Sequence, residues 1–246
     1  MNVQTPLKKI ALVTGANKGI GFEVARQLAA SGCSVLLGAR NKAFGEEAAA
    51  TLKREGRDVR YLSIDLDDPA TVAAAAREVE ADFGLLDVLV NNAGIAAQGD
   101  GLPSNVSLDA IERTFRVNFL GSVAVTQAML PLLRKASSAS IVNVSSGLGS
   151  LTKSGDPAWT HVAAKYLGYA ASKAALNMLT VQLAYELRGT PIKVNSVDPG
   201  YTATDLNQHR GTQSIPEGAA EIIRLALLAD DDATGTFSNA QGIVPW

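Results

Sequence analysis

The sequence predicts a single α/β domain built around a doubly wound parallel sheet. Short apolar segments alternate with segments whose apolar residues recur at helical spacing, which is the pattern of repeated strand–helix units. The segment at residues 86–90, apolar apart from Asp87, fits a parallel strand covered on both faces. A chain of 246 residues is long enough to bury one substantial core, so we expect one domain over residues 1–246.

The first strand–helix unit contains a glycine-rich turn. Residues 10–13 form an apolar strand, residues 14–21 read TGANKGIG, and residues 22–30 form a helix. Glycines let the backbone approach a pyrophosphate, and a helix N-terminus offers free N–H groups and a partial positive charge. The spacing is G-x-x-x-G-x-G instead of G-x-G-x-x-G, and an ordinary βα turn is the alternative interpretation.

The place of this turn, directly after the first strand of an α/β pattern, favours dinucleotide binding. It therefore predicts a Rossmann fold of about seven parallel strands flanked by helices. The cofactor-binding residues predicted in the turn are Gly15, Asn17, Lys18, Gly19, Ile20 and Gly21.

The end of the second predicted strand favours NADP(H) over NAD(H). In this fold a carboxylate near that point binds the ribose 2′-hydroxyl of NAD, whereas an arginine accommodates the 2′-phosphate of NADP. Residues 34–38 are followed by Arg40 with no Asp or Glu, and Lys18 in the glycine turn is a second cation. Each cation alone could be an ordinary surface charge. Their coincidence with the missing acid predicts NADP(H) as the cofactor.

Polar residues also follow the third and fourth predicted strands. Residues 59–64 lead into Asp65 and Leu66, and residues 86–90 lead into an NNAG segment at residues 91–94. Asp65 could accept a hydrogen bond from the adenine amine, or it could cap a turn or helix. The NNAG segment could pass beside a cofactor or tie adjacent strands together. Helices are predicted at residues 43–55 and 69–83.

The second half of the chain continues the alternation of strands and helices. Residues 108–133 predict two helices, or one that bends, and Asn118 among them needs hydrogen-bond partners because an unpaired amide is costly to bury. Further strands are predicted at residues 140–145, 192–197 and 235–238, the last as a seventh, edge strand, and a final helix at residues 215–228. Ser145 and Ser146 end the fifth strand, where open α/β sheets bind ligands, and they should point to opposite faces.

Tyr169 and Lys173 are candidates for acid–base chemistry. They lie four residues apart on a predicted helix that continues to residue 187, so both side chains share one helix face. A neighbouring cation lowers the pKa of a phenol from its usual value of about 10, which would suit proton transfer to or from a substrate oxygen. A solvated helix face can carry the same pair. Tyr166 is not an equivalent candidate, because the fourth residue after it is Ala170.

Four motifs in this order resemble those of the short-chain dehydrogenases/reductases: TGxxxGxG, NNAG, a serine after the fifth strand, and YxxxK. The resemblance spans nearly the whole chain. Within the family it is greatest to the NADPH-dependent carbonyl reductases, through residues 17–21, 39–40 and 85–95 and the final Trp246. It implies an NADPH-dependent oxidoreductase that transfers hydride between nicotinamide and a small-molecule carbonyl or alcohol.

The resemblance also implies individual roles. Tyr169 is the general acid/base, Lys173 lowers its pKa and binds the nicotinamide ribose, and Ser146 holds the substrate oxygen, with an exchange of Ser145 and Ser146 as the alternative. Asn118 holds a water that links Lys173 to solvent. The implied catalytic residues are Asn118, Ser146, Tyr169 and Lys173, and the further cofactor-binding residues are Asp65, Leu66, Asn92, Gly94, Tyr169, Lys173, Pro199, Gly200, Thr202 and Thr204.

Residues 147–165 make the chain between Ser146 and Tyr169 longer than in most relatives, as an insertion does in carbonyl reductases of this type. This insertion could cover the substrate cleft. Its position before the helix that family dimers use leaves both a homo-oligomer and a monomer open, and the sequence does not identify the substrate.

Composition argues against several other classes of protein. A formal net charge of −2 gives no electrostatic reason for binding nucleic acid or an anionic membrane. No apolar run approaches the roughly 20 residues of a membrane span, and residues 1–9 lack a signal-peptide pattern, so we expect a cytoplasmic protein. With Cys33 as the single cysteine and two histidines, His161 and His209, no metal site is expected.

Two other classes of protein could carry some of these motifs. A catalytically weak NADP-binding regulatory protein would be expected to have lost the Tyr, Lys or Ser, whereas all three positions are filled. A nucleotide-sugar epimerase-like enzyme shares YxxxK but normally carries a larger C-terminal part for its substrate.

Overall fold

A single sheet of eight strands runs through the described residues of the computed structural model, 8–228 and 233–246. Its order is β3-β2-β1-β4-β5-β6-β7-β8, so the chain winds outward first in one direction and then in the other. The doubly wound sheet predicted from the sequence is confirmed. In chain order the strands are β1 (Ile10–Thr14), β2 (Ser34–Ala39), β3 (Val59–Ser63), β4 (Val88–Asn91), β5 (Ala139–Val144), β6 (Ile192–Val197), β7 (Phe237–Asn239) and β8 (Gly242–Ile243).

The last strand differs from the prediction. The seven strands β1 to β7 are parallel, as expected, but β7 is not the edge of the sheet. After β7 the chain turns back, with Gln241 donating its N–H to Asn239 Oδ1 over 2.9 Å, and β8 pairs antiparallel with β7. A strand of two residues is too short to show a period in the sequence, which explains why it was not predicted.

Helices cover both faces of the sheet. They are α1 (Gly19–Ala30), α2 (Lys42–Arg54), α3 (Pro69–Phe83), α4 (Leu108–Phe115), α5 (Ser122–Leu133), α6 (Leu151–Gly155), α7 (Leu167–Glu186) and α8 (Ile215–Ala226). One core contains apolar residues of α1, α2 and α8, and the other contains those of α3, α5 and α7. Along β1, Ala11 and Val13 belong to the first core and Leu12 to the second, because successive side chains of a strand point to opposite faces.

A π-helical turn over Arg116–Gly121 joins α4 to α5, so residues 108–133 form one helix with an irregular middle. This turn packs closely on the segment after β3: a Cβ built on Gly121 would lie 2.6 Å from Leu66 Cβ, which leaves room for glycine alone. Asn118 is on the π-helical turn and is fully buried. Such turns are rare and occur frequently at functional sites.

The insertion at residues 147–165 is held by the C-terminal residues. It contains a 3₁₀ turn over Gly147–Gly149, the short helix α6 and a series of turns. Ser150 Oγ donates to Pro245 O over 2.6 Å, and Thr152 Oγ1 donates to Trp246 O over 2.7 Å. The Trp246 ring stacks on Phe237 of β7 with 5.5 Å between ring centroids, which ties the insertion to the sheet.

Within the described parts of the chain, none of the helices combines the length and the apolar character that a membrane crossing needs.

Candidate active site

The carboxyl ends of the central strands bring the predicted site residues to one edge of the sheet. The glycine turn follows β1, the NNAG segment follows β4, Ser146 follows β5, and the Pro199–Gly200 turn follows β6. β1 and β4 are neighbours at the point where the strand order reverses, which is where open α/β sheets bind ligands. Residues separated by more than 180 positions in the chain therefore share one cleft edge.

The glycine turn packs closely on the NNAG segment and leads into the free N-terminus of α1. Gly15 and Gly19 have φ values of +64° and +59°, a region that residues with a Cβ rarely adopt. A Cβ on Gly15 would lie 2.8 Å from Ala93 Cα, and one on Gly21 would lie 2.7 Å from Gly15 O. α1 begins at Gly19 without a side-chain cap or an acidic residue in its first turn, so its N-terminal N–H groups are available to an anion.

The NNAG segment holds the glycine turn in place. Asn92 Nδ2 donates to Thr14 O over 2.9 Å and to Gly15 O over 3.2 Å, while Thr14 Oγ1 accepts the N–H groups of Asn92 and Ala93. Asn91 Nδ2 bonds Asn143 Oδ1 over 2.9 Å and thereby ties β4 to β5. Of the two interpretations left open by the sequence, the structure shows the tie between strands.

A cavity lies beside the end of β2, where the sequence predicts the 2′-phosphate of NADP. It measures about 660 Å³, and Lys18, Arg40, Phe44 and Glu47 line it. Arg40 is exposed and, among the residues that the structure describes, it forms no hydrogen bond or ion pair. Its guanidinium therefore remains available to a ligand.

Lys18, which the sequence predicts to contact the cofactor, has an ion-pair partner within the chain. Lys18 Nζ lies 2.6 Å from Asp205 Oδ2, and His209 Nε2 lies 2.8 Å from Asp205 Oδ1. The hydrogen bond and charge of Lys18 lower the pKa of Asp205. Because both members of the Lys18–Asp205 pair are exposed, the pair is weak and a phosphate can compete for the lysine.

The other residues predicted near the adenine are part of local structure. The Asp65 side chain accepts the N–H of Asp67 over 3.0 Å, and its backbone bonds Thr71, so it forms the turn before α3. Leu66 is buried against Gly121. These contacts correspond to the turn-forming alternative for Asp65, and they leave its carboxylate part-exposed at the strand end.

Ser146 and Tyr169 are neighbours in the cleft, and Lys173 lies below the tyrosine. The Ser146 hydroxyl lowers the pKa of the Tyr169 phenol and accepts the N–H of Leu148 over 3.2 Å. Lys173 Nζ lies 5.6 Å from the centroid of the Tyr169 ring and donates to Val144 O over 2.8 Å. Ser145 points the other way, since its Oγ donates to Lys173 O over 3.3 Å and is buried. The structure thus brings together Ser146, Tyr169 and Lys173.

The pKa of Tyr169 is shifted opposite to the direction expected from the sequence. Burial, and then the negative charge of Asp198, raise the pKa of the phenol to about 12, against a smaller lowering by the Ser146 hydrogen bond. Burial lowers the pKa of Lys173 to about 8. The ammonium is bonded to Val144 O and lies over the ring, not against the phenol oxygen, so it does not offset the effect of burial.

Asn118 positions the backbone between the NNAG segment and α7. Its side chain accepts the N–H of Ile95 over 2.8 Å, donates to Ile95 O over 2.9 Å, and donates to Ser172 Oγ over 3.0 Å. A Cβ on Gly94 would lie 3.3 Å from both Asn118 Oδ1 and Lys173 Nζ. Asn118 is therefore adjacent to the buried lysine, with its side-chain amide fully bonded.

Asp100, which no sequence motif singles out, caps the helix that carries Tyr169. Its carboxylate accepts the N–H of Gly168 over 2.9 Å and that of Tyr169 over 2.8 Å. α7 has no side-chain cap of its own, because Tyr166 occupies the N-cap position. The cap comes from 69 residues earlier in the chain, so the local capping pattern that identifies most helix starts could not reveal it. Asp100 also lines a cavity of about 510 Å³ with residues of the insertion.

The loop after β6 folds against the glycine turn. Asp198 Oδ1 accepts the N–H of Gly200, whose φ is +73°, and Thr202 Oγ1 donates to Pro199 O over 3.0 Å. A Cβ on Gly19 would lie 3.8 Å from Thr204 Cγ2, so Thr204 faces the start of α1. The predicted loop residues are therefore next to the predicted cofactor turn.

Both the sequence and the fold are similar to those of known dehydrogenases and reductases. Residues 9–214 match the family model described as short chain dehydrogenase. The (+)-neomenthol dehydrogenase of Arabidopsis thaliana is 33% identical, over 96% of this chain and 97% of that protein. An NADPH-bound carbonyl reductase from chicken fatty liver superposes with a TM-score of 0.83 at 29% identity, over 98% of this chain and 100% of that one. A gluconate 5-dehydrogenase from Burkholderia cenocepacia in complex with NADP and tartrate has a TM-score of 0.83 at 29% identity, over 95% and 94%.

Replacement of the α7 cap should impair both stability and turnover. Asp100→Ala removes the acceptor of two N–H groups, and we expect it to lower the free energy of unfolding by about 0.5–2 kcal/mol. Turnover should fall further than stability explains, because one of these groups is the N–H of Tyr169. Asp68→Ala is the matched control, since Asp68 caps α3 through Ala70 over 2.9 Å. Urea unfolding measures the stability of both variants, and the turnover number is measured under conditions in which each variant is folded. Equal losses of turnover in Asp100→Ala and Asp68→Ala would contradict the expectation.

The buried ammonium of Lys173 should make stability depend on pH. Its pKa is about 8 in the folded protein against 10.5 for an ordinary lysine, so the folded state binds fewer protons between these values. Stability should therefore rise with pH in this window, by at most about 1.4 kcal/mol per pH unit, relative to Lys173→Met. Urea unfolding at intervals from about pH 8 to pH 10, below the titration of the tyrosine, measures the slope. Lys53→Met, on the exposed side of α2, controls for the loss of an ammonium. If the free energy of unfolding changed with pH in the same way for wild type and Lys173→Met, the expectation would be refuted.

Proposed function

The chain belongs to the short-chain dehydrogenase family, whose members are oxidoreductases, and from this premise we propose that it is an NADPH-dependent carbonyl reductase. One observation carries the proposal: the Ser146 hydroxyl at the end of β5 is close enough to the Tyr169 phenol to lower its pKa, and the Lys173 ammonium is buried beneath the tyrosine ring. A hydroxyl donor next to a proton-bearing phenol suits a carbonyl oxygen on which negative charge develops. The substrate is a small molecule with a carbonyl group, or the corresponding alcohol in the reverse direction.

The residues at the strand ends fit a dinucleotide. The uncapped start of α1 suits a pyrophosphate, and Gly15 and Gly21 let the turn pack closely on Ala93 and Asn92 beside it. The unpaired guanidinium of Arg40 beside a cavity suits the additional phosphate of NADP, and Lys18 can join it by leaving Asp205. The relatives whose structures contain NADPH or NADP support the same choice. When bound, NADPH supplies the hydride for the carbonyl carbon.

We propose the remaining cofactor contacts from where their residues lie along the cleft edge. We assign the adenosine end to Asp65 and Leu66, and the nicotinamide end to Asn92, Gly94, Lys173 and the loop after β6. In that loop Thr204 faces the first turn of α1, and Thr202 is buried at the base. The full proposed set is Gly15, Asn17, Lys18, Gly19, Ile20, Gly21, Arg40, Asp65, Leu66, Asn92, Gly94, Tyr169, Lys173, Pro199, Gly200, Thr202 and Thr204.

Tyr169 acts as the acid in the reduction. Its pKa of about 12 keeps the phenol protonated at neutral pH, so the proton is present when the substrate oxygen requires it. Ser146 holds that oxygen, and Lys173, with Asn118 beside it, lies on the path by which a proton returns to the phenolate after the transfer. Alcohol oxidation requires the phenolate, so it should become faster as pH rises. Neutral pH therefore favours the reductive direction.

The single domain provides both the cofactor edge and the substrate cleft. We propose that residues 1–246 form one catalytic domain and that residues 147–165 cover the substrate side of the cleft. Their attachment to Pro245 and Trp246 supports this role, because it fixes the insertion beside Ser146.

Removal of the Tyr169 hydroxyl tests the acid. Tyr169→Phe should lower carbonyl-dependent NADPH oxidation by about 100- to 10,000-fold, since the proton donor is lost while the ring remains. NADPH binding, measured by fluorescence titration, should stay detectable. Tyr166→Phe is the matched control, because Tyr166 is exposed at the start of α7. A panel of aldehydes, quinones, keto esters, steroids and keto sugars supplies the substrate.

Undiminished turnover in Tyr169→Phe would refute the role of Tyr169 as the acid. Tight NADPH binding by the wild type without turnover of any compound would favour a catalytically weak NADP-binding protein.

Replacement of Arg40 tests the choice of cofactor. Arg40→Ala should raise the KM for NADPH by about 10- to 100-fold, because a charge-assisted bond to the 2′-phosphate is lost, and should leave the KM for NADH nearly unchanged. Arg77→Ala, an exposed arginine of α3, controls for the loss of one positive charge. Initial rates with both cofactors give the constants. A wild type that prefers NADH, or an equal rise of both KM values, would contradict the assignment.

A further inference from the structure

Asp198 is a buried carboxylate without a counter-charge. Three carboxylates within the described residues are at most 9% exposed: Glu23, Asp198 and Glu221. Glu23 pairs with Arg26 over 2.7 Å and Glu221 with Arg224 over 2.7 Å. Asp198 forms no ion pair within the parts of the chain that the structure describes. Its side-chain oxygens are not among the fully buried atoms that lack a partner, so the carboxylate keeps contact with solvent and is accessible to a cation from outside the chain.

The hydrogen bond that Asp198 makes does not require its charge. Asp198 Oδ1 accepts the N–H of Gly200 over 3.0 Å and so fixes the turn after β6. An asparagine would accept the same bond. The second oxygen, Oδ2, accepts no hydrogen bond in the described residues, and the negative charge is therefore unexplained by the turn.

Oδ2 of Asp198 faces the substrate side of the site. A Cβ built on Gly147, the residue after Ser146, would lie 2.9 Å from Asp198 Oδ2 and 3.1 Å from Trp159 Cζ2. The Asp198 carboxylate and the Trp159 indole therefore both lie next to Gly147, the residue that follows Ser146 in the chain. After burial, the charge of Asp198 is the second cause of the raised pKa of Tyr169, which places the carboxylate near the phenol as well.

Aromatic side chains continue from Trp159 along this wall. The Trp159 and His161 rings are 5.6 Å apart, and the His161 and Tyr201 rings are 5.7 Å apart. Lys153 Nζ lies 5.9 Å from the Trp159 ring centroid, so the indole already attracts one cation of the chain. A carboxylate next to aromatic rings attracts an organic cation by its charge, and the ring faces add cation–π attraction.

We propose that Asp198 is the specificity residue of the site and that the substrate is a carbonyl compound carrying a positively charged nitrogen. The nitrogen would lie between Asp198 Oδ2 and the aromatic wall, while the carbonyl oxygen lies at Ser146 and Tyr169. This inference rests on the proposed reductase function. The same carboxylate disfavours substrates with a carboxylate or phosphate, because two negative charges would then share a buried site.

Three para-substituted benzaldehydes of similar size separate charge from shape. One carries a trimethylammoniomethyl group, the second carries the neutral neopentyl group of the same shape, and the third carries a carboxymethyl group. With the wild type and NADPH, we expect kcat/KM to be about tenfold to a hundredfold higher for the cation than for its neutral isostere, and lowest for the anion. Equal values for the cation and the neutral compound would overturn the proposal.

Asp198→Asn keeps the acceptor for Gly200 and removes the charge. In this variant the ratio of kcat/KM between cation and neutral compound should fall to about one, through a rise in the KM of the cation. Asp109→Asn is the control for the change in net charge, since Asp109 is exposed and pairs with Arg113 over 2.9 Å; it should keep the wild-type ratio. An unchanged ratio in Asp198→Asn would show that the carboxylate only holds the turn.

A binding measurement separates this inference from the proposed function. Benzyltrimethylammonium, which has no carbonyl, is titrated into the wild type and Asp198→Asn in the presence of NADPH, by calorimetry. Binding to the wild type that weakens at least tenfold in the variant supports the role of Asp198 even if no aldehyde is reduced, a result that would reject only the reductase assignment. No binding to the wild type would reject the cation site even if the aldehydes are reduced.

Discussion

The site depends on the contact between the end of β5 and the middle of α7. Lys173 Nζ donates to Val144 O over 2.8 Å, and Ser145 Oγ donates to Lys173 O over 3.3 Å. A Cβ on Gly149 would lie 2.8 Å from the carbonyl carbon of Lys173, so the 3₁₀ turn after Ser146 also rests on the helix. A buried ammonium is costly, and its bond to a strand-end carbonyl recovers part of that cost. The contact fixes Ser146 on the strand side and Tyr169 on the helix side next to each other, where the serine lowers the pKa of the phenol.

Three carboxylates outside the sequence motifs complete this arrangement, each in a different way. Asp100 accepts two N–H groups and fixes the start of α7, Asp205 accepts from Lys18 and fixes the loop after β6 to the glycine turn, and Asp198 leaves one oxygen open toward the cleft. Asp100 and Asp205 hold segments of the chain in place, because they bond groups of the chain itself. Asp198 is available to a ligand, because its charge has no partner in the described chain. Within residues 8–228 and 233–246, the cofactor side of the cleft thus offers a cation without a partner in Arg40, and the substrate side offers an anion without one in Asp198.

The sequence predicted those features that depend on order along the chain. Strand ends followed by glycines, amides or hydroxyls must meet at one edge of a parallel sheet, so the glycine turn, Arg40, Ser146 and Tyr169 could be placed before the structure was known. Contacts between distant segments could not be predicted in this way. The Lys18–Asp205 pair spans 187 positions and the cap of α7 spans 69, and neither residue type nor spacing encodes them. The direction of the Tyr169 pKa shift also depends on burial and on Asp198, which only the packed chain defines.

The central claim is that this edge of the sheet directs hydride from NADPH to a carbonyl carbon. The most direct measurement uses NADPH that carries deuterium at both C4 positions of the nicotinamide, an aldehyde substrate, and mass spectrometry of the product alcohol. The account predicts an alcohol with one deuterium bound to the carbinol carbon. An unlabelled alcohol, or no alcohol from any carbonyl compound offered with saturating NADPH, would contradict it.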